Sequence, residues 1–99
     1  MKVVLKEAHE IVYQKTTHQI TVDIDGVEYT IRQSEDDNGC DYYVYSETLN
    51  DGNVMNPYDL EEGELKDVIE KLAETCHDDY LFSNSKEGKE IYMVDLNDY

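Results

Sequence analysis

The sequence contains no tryptophan, a single phenylalanine and few basic residues. Lys and Arg together number 8 against 24 Asp and Glu, which gives a formal net charge of -16 at pH 7. A surface of that sign repels phosphate backbones and anionic lipids, so we expect no direct nucleic-acid binding and no membrane association. No stretch approaches the ~18 consecutive apolar residues of a membrane span, and the N-terminus has no signal-peptide core. These absences predict a cytoplasmic protein.

Cysteine, proline and glycine are also scarce. Cys40 and Cys76 are too few for a disulfide framework, so we expect reduced thiols. One proline and five glycines leave no room for a long linker, while 39% hydrophobic residues suffice for a modest core. A length of 99 residues then predicts one domain that spans residues 1–99.

The negative charge is concentrated in the middle of the chain. Residues 34–85 hold fifteen acidic residues against two lysines, whereas residues 1–33 hold five against four and residues 86–99 hold four against two. Like charges crowded onto a small domain repel one another and reduce stability. The crowding therefore predicts a basic partner.

The clearest local pattern predicts a β-hairpin. Apolar and polar residues alternate on both sides of Asp25-Gly26, a dipeptide that suits the positive φ angles of a two-residue turn. The turn predicts three cross-strand pairs on one face of a sheet: Ile24 with Val27, Val22 with Tyr29, and Ile20 with Ile31.

The segments on either side of this hairpin are harder to assign. Apolar residues in the first segment have helical spacing, so we predict a helix over residues 3–14, with two short strands as the alternative because β-branched residues are frequent there. After the hairpin, residues 34–39 are polar and acidic and predict a loop. Residues 41–47, rich in tyrosine, predict a third strand, and residues 49–56 predict a turn-rich connection.

The second half contains the strongest helical pattern. Asn56 suits a helix N-cap, with Pro57 at the first helical position and Asp59 as the acid of a capping box, and Gly63 marks a break. We predict the main helix from about residue 62 to residue 77. Its apolar stripe consists of Leu65, Val68, Ile69, Leu72, Ala73 and Cys76.

Two further runs, residues 80–82 and 90–96, flank a turn-like segment and predict a last pair of strands. The predicted fold class is α+β. An antiparallel sheet, made of a three-strand meander plus a C-terminal hairpin, packs against one long and one short helix.

Two acidic clusters form the predicted binding surface. Carboxylates on the main helix lie opposite its apolar stripe, about one every ~4–5 Å, and a DNA strand carries one charge every ~3.4 Å. The loop before the third strand adds a second cluster with no base nearby in the sequence. The predicted partner-binding residues are Glu35, Asp36, Asp37, Asp41, Glu64, Asp67, Glu70, Glu74 and Asp78.

No metal site, cofactor or enzymatic activity is predicted. Residues 51–62 have acids or amides at four positions of a calcium loop, but Met55 and Asn56 occupy two demanding positions. The cysteines and histidines lack zinc-site spacing, and Cys76 belongs to the apolar stripe. No glycine-rich phosphate loop and no nucleophile elbow are present.

In size, in acidic tracts and in element order from about residue 3 to 77, the chain resembles the small acidic inhibitors of bacteriophages, particularly anti-CRISPR proteins. Several of these combine a short helix, a three-stranded antiparallel sheet and acidic helices in chains of similar length. The resemblance implies an inhibitor in the cytoplasm of a bacterial host. It would block the DNA-binding channel of an RNA-guided CRISPR nuclease by acting as a DNA mimic.

Two alternatives remain open at this point. An immunity protein that neutralises a basic toxin nuclease would use the same electrostatics, and an acidic soluble domain with no mimicry role would use the charge only for solubility. In the leading interpretation the partner is a basic nucleic-acid-binding protein, for which a nuclease is the main candidate. The chain would bind it as a monomer or small homo-oligomer, with Tyr42, Tyr43 and Tyr45 as apolar anchors.

Overall fold

The computed structural model describes residues 2–12, 16–76 and 90–91. Within these residues five antiparallel strands form one sheet, and one α-helix packs on it. The strands are β1 (Val3–Val12), β2 (Thr16–Ile24), β3 (Val27–Asp36), β4 (Gly39–Tyr45) and β5 (Glu90–Ile91). The helix is α1 (Glu64–Glu74), and two 3-10 helices span Asn50–Gly52 and Pro57–Asp59. The strand order across the sheet is β4-β3-β2-β1-β5.

The predicted hairpin is confirmed as β2 and β3. Asp25 and Gly26 have φ angles of 51° and 90°, as a two-residue turn of this type requires, and the Asp23 carboxylate accepts a hydrogen bond of 2.8 Å from the Gly26 N–H. The observed register contains all three predicted pairs. Five of the six apolar side chains are buried, and Val27 is half-buried.

The predicted helix over residues 3–14 is wrong, because residues 3–12 form strand β1; residues 13 and 14 lie outside the described residues. A β-bulge between Leu5 and Glu7 explains the misleading pattern. Leu5 pairs with Val22 and Ala8 pairs with Ile20, so both face the same side of the sheet although they are three residues apart. The extra residue gives a strand the i, i+3 spacing that is typical of a helix.

The predicted acidic loop over residues 34–39 is also wrong. Strand β3 continues through Asp36 and β4 begins at Gly39, which leaves only Asp37 and Asn38 in the turn. Acidic residues and glycine have low strand propensity. Pairing with β2 on one side and β4 on the other nevertheless holds this segment in the sheet.

The predicted N-cap belongs to a different helix from the one expected. The Asn56 side chain accepts a hydrogen bond of 2.9 Å from the Tyr58 N–H and so caps the 3-10 helix Pro57–Asp59. The chain then breaks at Gly63, whose φ is 154°, and α1 begins one residue later. The helix ends at Glu74 with Thr75 as its C-cap, so the predicted end near residue 77 is too late; position 77 itself lies outside the described residues.

The core lies between the sheet and α1, which packs on β3, β4 and the 3-10 helix Pro57–Asp59. We call this side of the sheet the covered face and the opposite side the open face. The predicted helical stripe is buried except for half-buried Leu65. Of the last predicted strand pair, only residues 90–91 lie in the described part of the chain. They form β5, which pairs with Val3 and Val4 of β1.

Candidate interaction surface

The predicted acidic loop residues surround the turn between β3 and β4, and we call residues 35–41 the hairpin tip. Glu35, Asp36, Asp37 and Asp41 are all exposed there. The Asp36 carboxylate accepts a hydrogen bond of 2.8 Å from the Asn38 N–H, which fixes the tight turn. Because side chains alternate along strands, Glu35 lies on the covered face, whereas Asp36 and Asp41 lie on the open face.

The carboxylates of the hairpin tip have no basic counterpart in the described part of the chain. None of the four lies within 4.0 Å of a lysine, arginine or histidine nitrogen among residues 2–12, 16–76 and 90–91. Two unit charges ~7 Å apart in water repel by about 0.6 kcal/mol, and the tip holds four such groups. This end of the sheet therefore carries an electrostatic cost that no ion pair among the described residues offsets.

The helical acids differ from one another in how much negative charge they present. Glu64, Asp67 and Glu74 are exposed, whereas the Glu70 side chain is 25% exposed and lies 3.9 Å from the Lys66 ammonium. The same ammonium donates a hydrogen bond of 2.9 Å to Glu62, which is the i,i+4 pair that the spacing favours. Glu62 and Glu70 share this cation, and the hydrogen bond to Glu62 raises the pKa of Lys66. Glu70 is therefore a weaker candidate for partner binding than Asp67.

Glu74 makes a structural contact that the sequence gave no sign of. The Tyr58 hydroxyl donates a hydrogen bond of 2.6 Å to the Glu74 carboxylate, and this bond raises the pKa of Tyr58 above its usual value. The Tyr42 ring meets the Tyr58 ring edge-on, with centroids 5.8 Å apart. Tyr58 thereby ties the 3-10 helix to the C-terminal end of α1 and to β4. Sequence reasoning missed it because its partner is 16 residues away.

The C-terminal end of α1 lies close to the hairpin tip on the covered face. The Gln33 side chain donates a hydrogen bond of 3.5 Å to the Glu74 carbonyl, and the Cys76 thiol donates one of 3.8 Å to the Ile31 carbonyl. Glu35 is two strand residues beyond Gln33, a distance of about 7 Å. The negative end of the helix dipole and the Glu74 carboxylate therefore add to the negative charge of the tip.

The predicted site residues thus do not all share one face. Glu35 lies on the covered face near the C-terminal end of α1, whereas Asp36 and Asp41 lie on the open face. Glu64 lies at the other end of α1, ten residues or about 15 Å from Glu74. Asp78 lies outside the described residues.

The three predicted tyrosine anchors do not share a face. Tyr42 lies on the covered face opposite Gln33, whereas Tyr43 and Tyr45 lie on the open face opposite Arg32 and Thr30. Successive side chains of a strand point to opposite faces of the sheet, so Tyr42 is separated from Tyr43 and Tyr45. Only Tyr42 is therefore placed beside the C-terminal end of α1.

The residues considered for metal binding adopt other roles. The candidate calcium stretch contains two 3-10 helices and a bridge in which Met55 pairs with Val44. Cys76 is buried, and burial raises the pKa of its thiol to about 12, whereas Cys40 is exposed. In the part of the chain that the structure describes, no three His, Cys, Asp or Glu side chains are arranged to hold a metal ion.

Comparison of the chain with protein-family models, with curated proteins and with solved structures gives no match. Among the described residues no helix is both long enough and apolar enough to cross a membrane.

Proposed function

We propose that this protein is a non-enzymatic inhibitor that blocks the DNA-binding channel of a basic nucleic-acid-binding enzyme, such as an RNA-guided CRISPR nuclease. The hairpin tip and the C-terminal end of α1 form the contact surface and act as a mimic of the DNA backbone. The observation that carries the proposal is the group of four exposed carboxylates at the tip without a base within 4.0 Å in the described residues. A cationic channel would supply the missing counter-charges and convert the repulsion into binding free energy.

The same electrostatics predict how binding depends on salt. Long-range attraction between this surface and a basic channel accelerates association at low ionic strength and is screened at high ionic strength. The association rate should fall at least ~10-fold between low and physiological salt, with a smaller change in the dissociation rate.

The decisive experiment compares two matched charge reversals. Glu35→Lys with Asp41→Lys changes two exposed tip residues that form no ion pair with another described residue. Glu47→Lys with Glu61→Lys changes two exposed acids away from the tip that likewise form no ion pair with another described residue, and it serves as the control. Each immobilised protein is used to capture proteins from a bacterial lysate at low salt, and captured proteins are eluted with duplex DNA and identified by mass spectrometry.

We expect the wild type and the control pair to retain a DNA-binding protein that duplex DNA displaces, and the tip pair to lose it. The captured enzyme is then assayed for DNA cleavage or binding with each variant added. Retention of the partner by the tip pair, or a partner that excess DNA leaves in place, would refute mimicry by this surface. Capture of a toxin nuclease instead would identify the immunity-protein alternative.

A further inference from the structure

The open face carries exposed aromatic and aliphatic side chains around a groove. Tyr43, Tyr45, Val54 and Ile11 are 38%, 39%, 56% and 51% exposed. The groove has a volume of about 350 Å³, and the first three of these residues line it together with Gln19, Thr30 and Arg32. Tyrosine and arginine are enriched at protein–protein interfaces because they combine a large contact area with hydrogen-bonding groups.

Arg32, the only arginine in the sequence, lies at this groove. Its Nε donates a hydrogen bond of 2.5 Å to the Gln19 side chain on β2. Although the chain has 24 acidic residues, none of those in the described segments lies within 4.0 Å of this guanidinium. Its planar group is therefore left to stack on aromatic rings or to meet a carboxylate from another molecule.

The charge on the open face indicates which kind of molecule binds there. Outside the hairpin tip, the described strands place four acids on this face against the two bases Lys6 and Arg32, and Lys6 lies 3.3 Å from the Glu28 carboxylate. The acids are Glu7, Asp23, Glu28 and Glu90. The local excess is two negative charges, fewer than the four carboxylates that the hairpin tip presents to a basic channel. Two copies of a molecule with net charge -16 repel least where their local charge is closest to zero.

The size of the face is also adequate for a dimer. Without the hairpin tip, four strands ~4.8 Å apart and about eight residues long cover roughly 500 Å² per copy, or about 1,000 Å² in total. That area is close to the ~1,000 Å² that a specific protein–protein interface needs as a minimum.

We propose that two copies of the chain associate through their open faces as a two-fold symmetric dimer. Arg32 of each copy packs against Tyr43 and Tyr45 of the other, since a two-fold interface pairs the same patch with itself. The α1 side of both copies stays exposed in such a dimer. This inference does not rest on the proposed function.

Sedimentation equilibrium of the purified full chain, from micromolar to near-millimolar concentration at low and high NaCl, tests the proposal. We expect a monomer–dimer equilibrium whose dimer fraction rises with salt, because screening weakens the repulsion between the copies while the contacts are largely non-ionic. A protein that stays monomeric over the whole range, or a dimer that salt dissociates, would overturn the inference.

Variants locate the interface. Tyr43→Ser with Tyr45→Ser should raise the dimer dissociation constant at least ~10-fold, as loss of interface anchors does. The control Tyr58→Ser removes a tyrosine that is 42% exposed and lies on the other side of the sheet, and it should leave the constant unchanged. Circular dichroism checks folding. If the double variant does not fold, the Arg32→Glu variant, changed at an exposed position, is measured instead. Unchanged dimerisation of that variant would disprove the assigned interface.

Discussion

The two ends of β3 carry similar residues in different circumstances. At the first end, next to the turn between β2 and β3, the Asp25 carboxylate accepts a hydrogen bond of 2.8 Å from the Lys2 N–H. The Asp23 carboxylate accepts one from the Gly26 N–H. Glu28 lies 3.3 Å from the Lys6 ammonium. At the hairpin tip, by contrast, Asp36 caps its own turn, and in the described residues none of the four acids there has a basic neighbour within 4.0 Å.

The comparison separates acidic residues that stabilise the fold from acidic residues that destabilise it. A carboxylate that accepts a backbone hydrogen bond or pairs with a cation stabilises its turn. A cluster of carboxylates without such partners repels itself, which lowers the free energy of unfolding. Composition alone does not distinguish the two ends, because both are rich in Asp and Glu.

The largest expected effect concerns solvent access at the tip. Cys40, opposite Glu35 in the tip, is exposed, whereas Cys76 is buried with its thiol pKa raised to about 12. The thiolate is the reactive form, so burial and the raised pKa both protect Cys76. A thiol reagent at neutral pH should label one cysteine at least ~1,000-fold faster than the other, since the core thiol reacts only on opening. Mass spectrometry of labelled peptides identifies the site; fast labelling of Cys76 would contradict the described packing.

The next effect distinguishes the two turns by their contribution to stability. Asp25→Ala removes the bond to Lys2 and places alanine at φ 51°, so we expect the free energy of unfolding to fall by about 1–2 kcal/mol. Asp37→Ala, at the tip turn, neither removes such a hydrogen bond nor places alanine at a positive φ. It should therefore change the free energy of unfolding by less than about 0.5 kcal/mol. Urea unfolding of both variants measures the difference. Equal losses would show that the two turns are not distinct in the way described.

The smallest effect tests whether the tip charges cost stability. Neutralising Glu35 and Asp41 as Glu35→Gln with Asp41→Asn should raise the free energy of unfolding by about 0.5 kcal/mol at low salt. The gain should vanish in 1 M salt, where the Debye length is about 3 Å. Glu28→Gln is the control. It removes one negative charge together with the ion pair to Lys6, so the free energy of unfolding should not rise. A salt-independent gain would point to strand propensity rather than charge.

The sequence predicted those parts of the fold whose signals are local. Asp25-Gly26 specified a turn and thereby a register, and the apolar stripe from Leu65 to Cys76 specified a helix. The first strand was missed because its bulge changed the spacing of apolar residues. The tip was missed because strand pairing on both sides outweighed the low strand propensity of its acids.

For the candidate surface, the acidic residues were visible in the sequence but their partners were not. The i,i+4 spacing of Glu62 and Lys66 is a local signal, and the structure contains this ion pair. The bond from Tyr58 to Glu74 and the position of α1 beside Gln33 depend on contacts between distant parts of the chain. One sequence without its fold contains no signal for such contacts.

The bulge in β1 has a consequence for how the chain tolerates insertions and deletions. Leu5 and Glu7 pair with successive residues of β2, so Lys6 is the surplus residue of the strand. Loss of Lys6 would leave a regular ladder in which every remaining side chain keeps its orientation. Deletion of a neighbour such as His9 would instead move the side chains on one side of the deletion to the opposite face of the sheet. A homologue whose first strand is shorter by one residue is thus expected to have its gap at this position.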